Sequence, residues 1–201
     1  MLKIGALCSG GGTNLQALID SEKSGAPFHI AVVISNNPSA FALERARASE
    51  IPAFCVRISS FASRDAFEDE IMLRLAEHGV KLVVLAGFIP ILGSRFINAY
   101  RDRIINIHPS LIPAFCGRGF YGIKVHEAVI ASGAGITGAT VHFVDEGADT
   151  GRIIMQKAVR VQPADTPQTL QKRVMEEAEW ILLPEAVRLI SEGKARIGGD
   201  I

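Results

Sequence analysis

Two polar side chains interrupt an apolar strand near the middle of the sequence. The run Ile-Ile-Asn-Ile-His at residues 104–108 places Asn106 and His108 two positions apart, and Pro109 follows directly. Successive side chains alternate across a β-strand, so the amide and the imidazole are predicted to project from the same face. Because proline is excluded from the middle of a sheet, we expect the pair at the end of its strand.

An amide beside an imidazole is suited to polarising a carbonyl group. Asn106 supplies a hydrogen-bond donor and an acceptor, and His108 titrates near neutral pH without help. Both could donate to an oxygen atom that gains negative charge during a reaction. The alternative is a pair of satisfied polar residues that only ends a strand. Open α/β sheets bind ligands at the carboxyl ends of their strands, so the position favours the functional interpretation.

A second candidate is the glycine-rich turn Cys-Ser-Gly-Gly-Gly-Thr-Asn at residues 8–14. It lies between the first predicted strand and a predicted helix, whose N-terminus carries partial positive charge. Glycines leave backbone N–H groups unobstructed, so the turn is suited to a phosphate. The spacing fits neither a Walker A motif nor the dinucleotide-binding Gly-x-Gly-x-x-Gly fingerprint, and a tight turn without a ligand is the alternative.

A third candidate is the acidic stretch at residues 142–151, which places Asp145, Glu146 and Asp149 in a predicted turn between two strands. A carboxylate beside His108 would favour the imidazolium form and could relay a proton. Spacing alone does not choose among the three carboxylates. An ordinary solvated acidic turn is the alternative.

The first half of the sequence alternates apolar strands with amphipathic helices, which is typical of β-α-β units. Right-handed crossovers then imply an open, doubly wound, mostly parallel α/β sheet of the Rossmann-like kind. Thr13 or Asn14 is a candidate N-cap for the first helix, and Gly79 is a candidate C-cap for the third. The predicted elements are strands at 2–8, 29–35, 53–58 and 81–88 and helices at 13–24, 40–50 and 63–79.

The second half predicts a different arrangement. A loop rich in glycine and aromatics and a short helix lead into two long strands that the acidic turn joins, so these strands are predicted to be antiparallel. A long C-terminal helix follows, entered at Thr166-Pro167 and bent near Pro184. We expect one domain over residues 1–201, with a nucleotide-fold half at 1–108 that carries the phosphate turn and a more antiparallel half at 109–201.

Composition disfavours several classes of protein. The chain has 21 Lys and Arg against 21 Asp and Glu, whereas general nucleic-acid binders have a basic surplus. No apolar run reaches transmembrane length, and the N-terminus lacks a signal-peptide pattern. Three widely spaced cysteines fit free thiols in a reducing compartment and show no metal-binding spacing. We expect a cytoplasmic monomer or homodimer that binds small molecules and no nucleic acid, membrane or metal.

Five segments occur in an order and at a spacing that resemble a known family. They are SGGGTNLQALID, SNNPSAFALERA, VVLAGFIPIL, NIHPSLIPAFCG and VHFVDEGADTGRII. In them the chain resembles the phosphoribosylglycinamide formyltransferases of the folate-dependent formyltransferase superfamily, whose members share an Asn-x-His plus Asp signature. The resemblance extends from the first strand to the segment EAEWILLPEAV, which is nearly the whole chain.

The resemblance implies an activity and three catalytic residues. The amine of 5′-phosphoribosylglycinamide (glycinamide ribonucleotide) would take the formyl group of 10-formyltetrahydrofolate, a step of de novo purine synthesis, without a metal. By the family motif the catalytic residues are Asn106, His108 and Asp149, since the family aspartate stands two positions before a glycine, here Gly151. Asn106 and His108 would stabilise the tetrahedral oxyanion. Asp149 would assist transfer of the proton from the amine to the leaving nitrogen.

The resemblance also implies how the two substrates bind, with the folate and the active site assigned to the half at 109–201. The substrate phosphate would lie in the glycine turn and Glu179 would contact the ribose, although Trp180 follows where histidine is common. Pro90 stands where some members have arginine, and the loop at 113–126 is longer than in others; both differences concern the folate pocket. The implied substrate-binding residues are Gly11, Gly12, Thr13, Asn14 and Glu179, and the implied folate-binding residues are Arg64, Ile89, Pro90, Ile91, Leu92 and Asn106.

Three other functions are weighed against this one. A methionyl-tRNA formyltransferase is expected to carry a further C-terminal nucleic-acid-binding domain, which the balanced charge and the length disfavour. A formyltetrahydrofolate hydrolase would use the same three residues with water in place of the amine, but would have no use for the phosphate turn. A nicotinamide-binding module is disfavoured by the missing glycine fingerprint, and it would bind NAD where a formyltransferase binds folates.

Overall fold

The strands and helices follow the predicted alternation closely. The computed structural model describes residues 1–195. Its strands are β1 (Leu2–Cys8), β2 (Phe28–Ser35), β3 (Ala53–Cys55), β4 (Leu82–Leu85), β5 (Ile104–His108), β6 (Ile136–Phe143) and β7 (Ile153–Arg160). Its helices are α1 (Thr13–Lys23), α2 (Phe41–Ala48), α3 (Arg64–Glu77), α4 (Ser94–Ala99), α5 (Ile123–Ala131), α6 (Pro167–Val174) and α7 (Trp180–Ser191). Two predicted strands are shorter than expected: the one at 53–58 ends at Cys55, with a 3₁₀ turn at Ile58–Ser60, and the one at 81–88 is observed at Leu82–Leu85.

The strands form one sheet in the order β3-β2-β1-β4-β5-β6-β7. The pairs from β3 to β5 are parallel, and β6 is antiparallel to both β5 and β7. This confirms the predicted fold class, a mostly parallel Rossmann-like α/β sheet continued by antiparallel strands and a long C-terminal helix. Because β1, β4 and β5 are neighbours, the segments that follow their carboxyl ends meet at one edge, which we call the carboxyl edge.

Apolar side chains cover both faces of the sheet. In β1, Ile4 and Ala6 belong to a core that also contains residues of α1 and α7. Leu7 points to the opposite face, where it joins Phe67 and Ile71 of α3 in a second core. Successive residues therefore serve opposite faces, and a strand buried on both sides reads as a continuous apolar run. Packing in the two cores fixes the position of each strand relative to its neighbours, and this in turn fixes the position of the carboxyl edge.

The helix ends differ from the prediction at two positions. The N-cap of α1 is Gly12, with φ of 70° and no side-chain hydrogen bond, so the prediction of Thr13 or Asn14 is wrong. The turn needs a left-handed residue there, which glycine adopts without strain. The amide of Asn14 is instead bonded to Glu179. The C-cap of α3 is His78, so the prediction of Gly79 is wrong by one residue; Gly79 comes directly after the cap, with φ of 68°.

The C-terminal helix is less regular than its sequence predicts. Thr166 caps α6 in a reciprocal capping box with Thr169, and Pro167 occupies the first turn, as expected. A π-helical segment, Met175–Glu179, joins α6 to α7 upstream of Pro184, which lies inside α7. Such segments occur frequently at functional sites. None of the described helices is long and apolar enough to cross a membrane.

Candidate active site

Strand pairing places a second histidine beside the predicted pair. β5 and β6 are antiparallel, with Asn106 opposite His142 and His108 opposite Thr140. Both histidines are buried, and Asn106 is half-buried. Sequence reasoning missed His142, whose only signal is a polar residue inside an apolar strand. The register that brings it to Asn106 is not specified by either segment alone.

The loop that follows β5 holds His108 in one orientation. Its Nε2 lies 2.9 Å from the carbonyl oxygen of Phe115, so Nε2 carries a proton and donates it. Its Nδ1 lies 3.5 Å from Oδ2 of Asp149. Burial lowers the pKa of His108, and Asp149 and the Phe115 carbonyl offset this effect only in part. The ring is therefore neutral at pH 7, with an unprotonated Nδ1 facing a carboxylate.

His142 orients the side chain of Asn106. Its Nδ1 donates to the carbonyl oxygen of Phe143 at 2.7 Å, so its Nε2 carries no proton in the neutral ring. That nitrogen accepts a hydrogen bond from Nδ2 of Asn106 at 3.2 Å. One N–H of the amide is thus committed to His142, and the second is left for a ligand.

Asp149 lies beside both histidines. Its Oδ2 accepts a hydrogen bond of 2.9 Å from the backbone N–H of Gly117, and its Oδ1 lies 3.6 Å from Nε2 of His142. Burial raises the pKa of Asp149, but His142, His108 and the Gly117 amide outweigh burial and hold it below its usual value. Asp149 is therefore the charged member of the cluster at neutral pH.

The other carboxylates of the acidic turn face elsewhere. Asp145 accepts hydrogen bonds within the turn, including one of 2.6 Å from the hydroxyl of Thr150, and Glu146 is exposed. A Cβ at Gly151 would lie 1.8 Å from the carbonyl oxygen of Phe143, so only glycine fits that position. The glycine of the family motif, two positions after Asp149, is thus required at Gly151 for steric reasons.

The glycine turn is closed on one side and open on the other. A Cβ at Gly12 would lie 2.8 Å from Cα of Ala42, and φ at Gly12 is positive, so space and backbone both require glycine. A Cβ at Gly11 would meet nothing within 4 Å. Because α1 has no side-chain cap, its first N–H groups from Thr13 onward are available to a ligand. This combination suits an anion.

A buried pair joins α1 to the π-helical segment. Nδ2 of Asn14 donates to Oε2 of Glu179 at 2.6 Å. Oδ1 of Asn14 is also buried and has no hydrogen-bond partner in the described chain. Burial raises the pKa of Glu179 to about 7, although the hydrogen bond from Asn14 opposes the shift. The pair therefore presents buried acceptor oxygens beside the glycine turn, and these oxygens suit hydroxyl donors.

The raised pKa of Glu179 predicts a loss of stability with rising pH. The pKa is about 7 in the folded protein against 4.5 ordinarily, so the folded state holds the proton more tightly and loses stability between these pH values. At about 1.4 kcal/mol per pKa unit, the loss is about 3 kcal/mol at pH 8. Urea unfolding at pH 5 and pH 8 should show a smaller difference for Glu179→Gln than for wild type. Equal differences would contradict the assignment.

The segment 86–93, between β4 and α4, carries most residues implied for the folate side. Ile89 and Ile91 are 66% and 63% exposed, and Pro90 is half-buried. Leu92 packs in the second core, so only its backbone is available to a ligand. Two large apolar side chains that remain exposed at the carboxyl edge suit the flat face of an aromatic ligand.

Arg64 reaches this region from the first turn of α3. It is half-exposed, and its Nε donates to Oε1 of the buried Glu68 at 2.9 Å. The ion pair occupies Nε and leaves donors on the two terminal nitrogens of the guanidinium group.

The three groups of residues are contiguous. The backbone N–H of Ser9, at the start of the glycine turn, donates to the carbonyl of Gly87 at 2.9 Å. Leu85, the last residue of β4, is paired with Asn106 of β5. The segment 86–93 therefore lies between the glycine turn and the cluster of Asn106, His108 and Asp149.

Cavity size does not identify this site. A cavity of about 550 Å³ lies at the opposite edge of the sheet, where Lys3 and His29 contribute to its lining. Another of about 260 Å³ lies between Arg101 and Glu146. Neither is lined by His108. The candidate active site is therefore identified by the types and arrangement of its side chains at the carboxyl edge, and not by the volume of a cavity.

A third buried histidine lies near the cluster. His126 on α5 is fully buried, and neither ring nitrogen has a hydrogen-bond partner in the described chain. Burial, with a smaller effect of His108, lowers its pKa to about 4. His126 is therefore neutral and adds no charge to the site at pH 7.

The fold and these side chains define a class, the α/β proteins whose polar site lies at the carboxyl edge of the sheet. The chain belongs to the formyl transferase family, whose model matches residues 2–187. The resemblance found in the sequence motifs is confirmed by this match.

Individual relatives agree with the family assignment. The chain is 40% identical over 198 residues to a trifunctional purine biosynthetic protein adenosine-3 of Chironomus tentans, covering 97% of this chain but 14% of that protein. It is 39% identical to a chloroplastic phosphoribosylglycinamide formyltransferase of Arabidopsis thaliana, covering 96% of this chain and 67% of that protein.

Solved structures give the same picture. Glycinamide ribonucleotide transformylase 1 of Symbiobacterium toebii matches with a TM-score of 0.91 and 42% identity, covering 96% of this chain and 89% of the other. A formyltetrahydrofolate deformylase of Pseudomonas syringae pv. tomato matches with a TM-score of 0.84 and 26% identity, covering 95% of this chain and 61% of the other.

Proposed function

We propose that the protein transfers the formyl group of 10-formyltetrahydrofolate to the amine of 5′-phosphoribosylglycinamide, in de novo purine synthesis. One observation carries the proposal: Asn106, His108 and Asp149 form a single cluster beside an open glycine turn. The activities named for the relatives from Arabidopsis thaliana and Symbiobacterium toebii support it. We also propose that it acts in the cytoplasm.

Asn106 and His108 stabilise the oxyanion in the proposed mechanism. As the amine attacks the formyl carbon, the carbonyl oxygen gains negative charge. The second N–H of Asn106, held in place by His142, donates to that oxygen. His108 contributes positive charge once its ring is protonated, because Asp149 is close enough to stabilise the imidazolium form.

His108 and Asp149 also move the proton. The attacking amine must lose a proton, and the folate nitrogen must gain one when its bond to the formyl carbon breaks. The unprotonated Nδ1 of His108 is a base that faces Asp149, directly or through a water. The proton passes from the amine to this pair and then to the leaving nitrogen, so no net charge is left on the protein.

The glycine turn and Glu179 bind the ribonucleotide. The phosphate lies against the first N–H groups of α1, over Gly11 and Gly12 and beside Thr13. The buried oxygens of Asn14 and Glu179 accept hydrogen bonds from the ribose hydroxyls.

The folate binds along the segment 86–93. The exposed Ile89 and Ile91 flank the ring system, with backbone groups of Pro90 and Leu92 beside it. The terminal nitrogens of Arg64 then bind a carboxylate of the folate tail.

Gly11→Ala is expected to raise KM for the ribonucleotide about tenfold and to leave KM for the folate unchanged. A methyl group at Gly11 meets no protein atom within 4 Å, so it fills only the space assigned to the phosphate. Gly12 is a poorer test, because bulk there collides with Ala42 and is expected to disturb folding as well. Steady-state kinetics with each substrate varied in turn measures the effect. An equal rise in both KM values would argue against a dedicated phosphate turn.

The hydrolase function remains a second candidate, favoured by the structural similarity to the deformylase of Pseudomonas syringae pv. tomato. Water would then attack the formyl carbon in place of the amine. The open glycine turn has no purpose in that reaction, and this favours transfer over hydrolysis.

One assay separates the two reactions. The protein is incubated with 10-formyltetrahydrofolate, with and without 5′-phosphoribosylglycinamide, and the deformylated folate is followed by absorbance. We expect the deformylated folate to form only when the ribonucleotide is present, and in the same amount as the formylated ribonucleotide. Equal rates with and without the ribonucleotide would establish the hydrolase and overturn the transferase.

A further inference from the structure

The segment 86–93 contains little secondary structure. To bind the folate as proposed, it must nevertheless hold Ile89 and Ile91 in fixed positions at the carboxyl edge. Leu92 packs in the second core, but Ile89 and Ile91 are both exposed and do not fix their own positions. Two buried polar residues from other elements, Ser9 and Glu68, hold the segment near its two ends.

Ser9 joins the segment to the glycine turn. Its backbone N–H donates to the carbonyl of Gly87 at 2.9 Å, and its hydroxyl oxygen accepts from the N–H of Ile89 at 2.9 Å. The same hydroxyl donates to Oδ1 of Asn36 at 2.6 Å, which fixes its orientation. Ser9 is 5% exposed and directly precedes the three glycines. Ser9 therefore links the glycine turn, where we propose that the phosphate binds, to the segment 86–93, where we propose that the folate binds.

Glu68 joins the other end of the segment to α3. Its side chain is 3% exposed, and Oε1 accepts hydrogen bonds from the N–H of Gly93 at 2.8 Å and from Nε of Arg64 at 2.9 Å. A Cβ at Gly93 would lie 3.0 Å from Oε2, so the segment approaches the carboxylate closely. A buried carboxylate that holds both a charged and a backbone donor is a strong constraint on geometry.

We propose that Ser9 and Glu68 are positioning residues for the formyl donor. Glu68 fixes the position of the Arg64 side chain and of the segment's end at Gly93, and Ser9 couples the segment to the phosphate turn. This inference rests on the proposed function. Neither residue contacts a substrate in it; both act through groups that do. Loss of Glu68 should therefore affect the folate alone, whereas loss of Ser9 should affect both substrates.

Glu68→Gln tests the first half of the proposal. Glutamine keeps an oxygen for the N–H of Gly93 but loses the charge that holds Arg64. We expect KM for the folate to rise roughly tenfold, with kcat within about twofold and KM for the ribonucleotide unchanged. Asp69→Asn is the matched control, because Asp69 lies on the surface of the same helix as Glu68 and pairs there with Arg95 of α4. It should leave both KM values unchanged.

A double-mutant cycle separates positioning from a general loss of stability. If Glu68 acts through Arg64, then Glu68→Gln should add little to the folate KM of Arg64→Ala. Fully additive effects would show that Glu68 acts independently of Arg64 and would overturn its assignment.

Ser9→Ala tests the second half. We expect KM for both substrates to rise by roughly threefold to tenfold, since two hydrogen bonds of the hydroxyl are lost. Ser35→Ala is the matched control, because Ser35 is equally buried at the end of the neighbouring strand and bonds the backbone of Asn37. The proposed coupling of the segment to the phosphate turn would be overturned if Ser9→Ala raised the KM of only one substrate. It would also be overturned if Ser35→Ala raised both KM values as much as Ser9→Ala does.

The order of the experiments keeps the two claims apart. Wild-type protein that transfers no formyl group refutes the proposed function before any variant is made. With an active wild type, unchanged folate KM in Glu68→Gln overturns the inference and leaves the function standing. Direct binding of folate by fluorescence gives the same comparison for any variant whose turnover is too slow to measure.

Discussion

Asp149→Asn is expected to lower kcat by about 10³-fold while leaving folding and phosphate binding nearly intact. Asparagine keeps the shape of the side chain and an oxygen for the N–H of Gly117, but it removes the charge. A protonated His108 then has no counter-charge at 3.5 Å, so the proton is not held between amine and leaving group. Steady-state kinetics and urea unfolding measure the two effects.

Glu146→Gln is the matched control for Asp149→Asn. It makes the same chemical change in the same turn, on a side chain that is exposed. We expect wild-type kcat from it. Near-wild-type turnover in Asp149→Asn would remove that residue from the mechanism, and an equal loss in both variants would assign the effect to the turn as a whole.

His108→Ala is expected to lower kcat by about 10³-fold to 10⁴-fold, because it removes both an oxyanion partner and the proton acceptor. The Phe115 carbonyl loses the hydrogen bond from the ring, although the hydroxyl of Ser110 still lies 3.3 Å away. We therefore expect a stability loss of about 1–3 kcal/mol, too small to unfold the protein.

His29→Ala is the control for His108→Ala. His29 lies at the opposite edge of the sheet, half-exposed and paired with Glu22 at 2.7 Å. We expect it to retain wild-type turnover. Activity of His108→Ala within about tenfold of wild type would refute the catalytic assignment, because neither role is consistent with so small a loss.

The predictable part of the fold depends on short-range patterns. The run at residues 2–8 coincides with β1, and the helix predicted at 63–79 is observed at Arg64–Glu77, with its C-cap at His78. Periodicity and end signals act within a few residues, so the local sequence contains them. Two exceptions, the N-cap of α1 and the π-helical segment, lie where α1 contacts Met175 and Glu179.

The candidate site divides in the same way. Asn106 and His108 share a strand, and their common face follows from alternation alone. The contact of Asn106 with His142 spans 36 residues, and that of Asn14 with Glu179 spans 165. No local pattern predicts such contacts, because they depend on the register and packing of separate elements.

By itself the sequence determined the order of the strands and of the helices other than the short α4, the pair of polar residues at the end of β5, the glycine turn and the presence of an acidic turn. The tertiary structure alone decided that His142 orients the amide of Asn106, and that Ser9 and Glu68 hold the segment 86–93. Spacing left three carboxylates open and the family motif selected Asp149; the structure places its Oδ2 3.5 Å from Nδ1 of His108. The physical reason is distance along the chain. Secondary structure and turns arise from neighbours in sequence, whereas hydrogen bonds, burial and shifted pKa values arise from groups that meet only when the sheet is assembled.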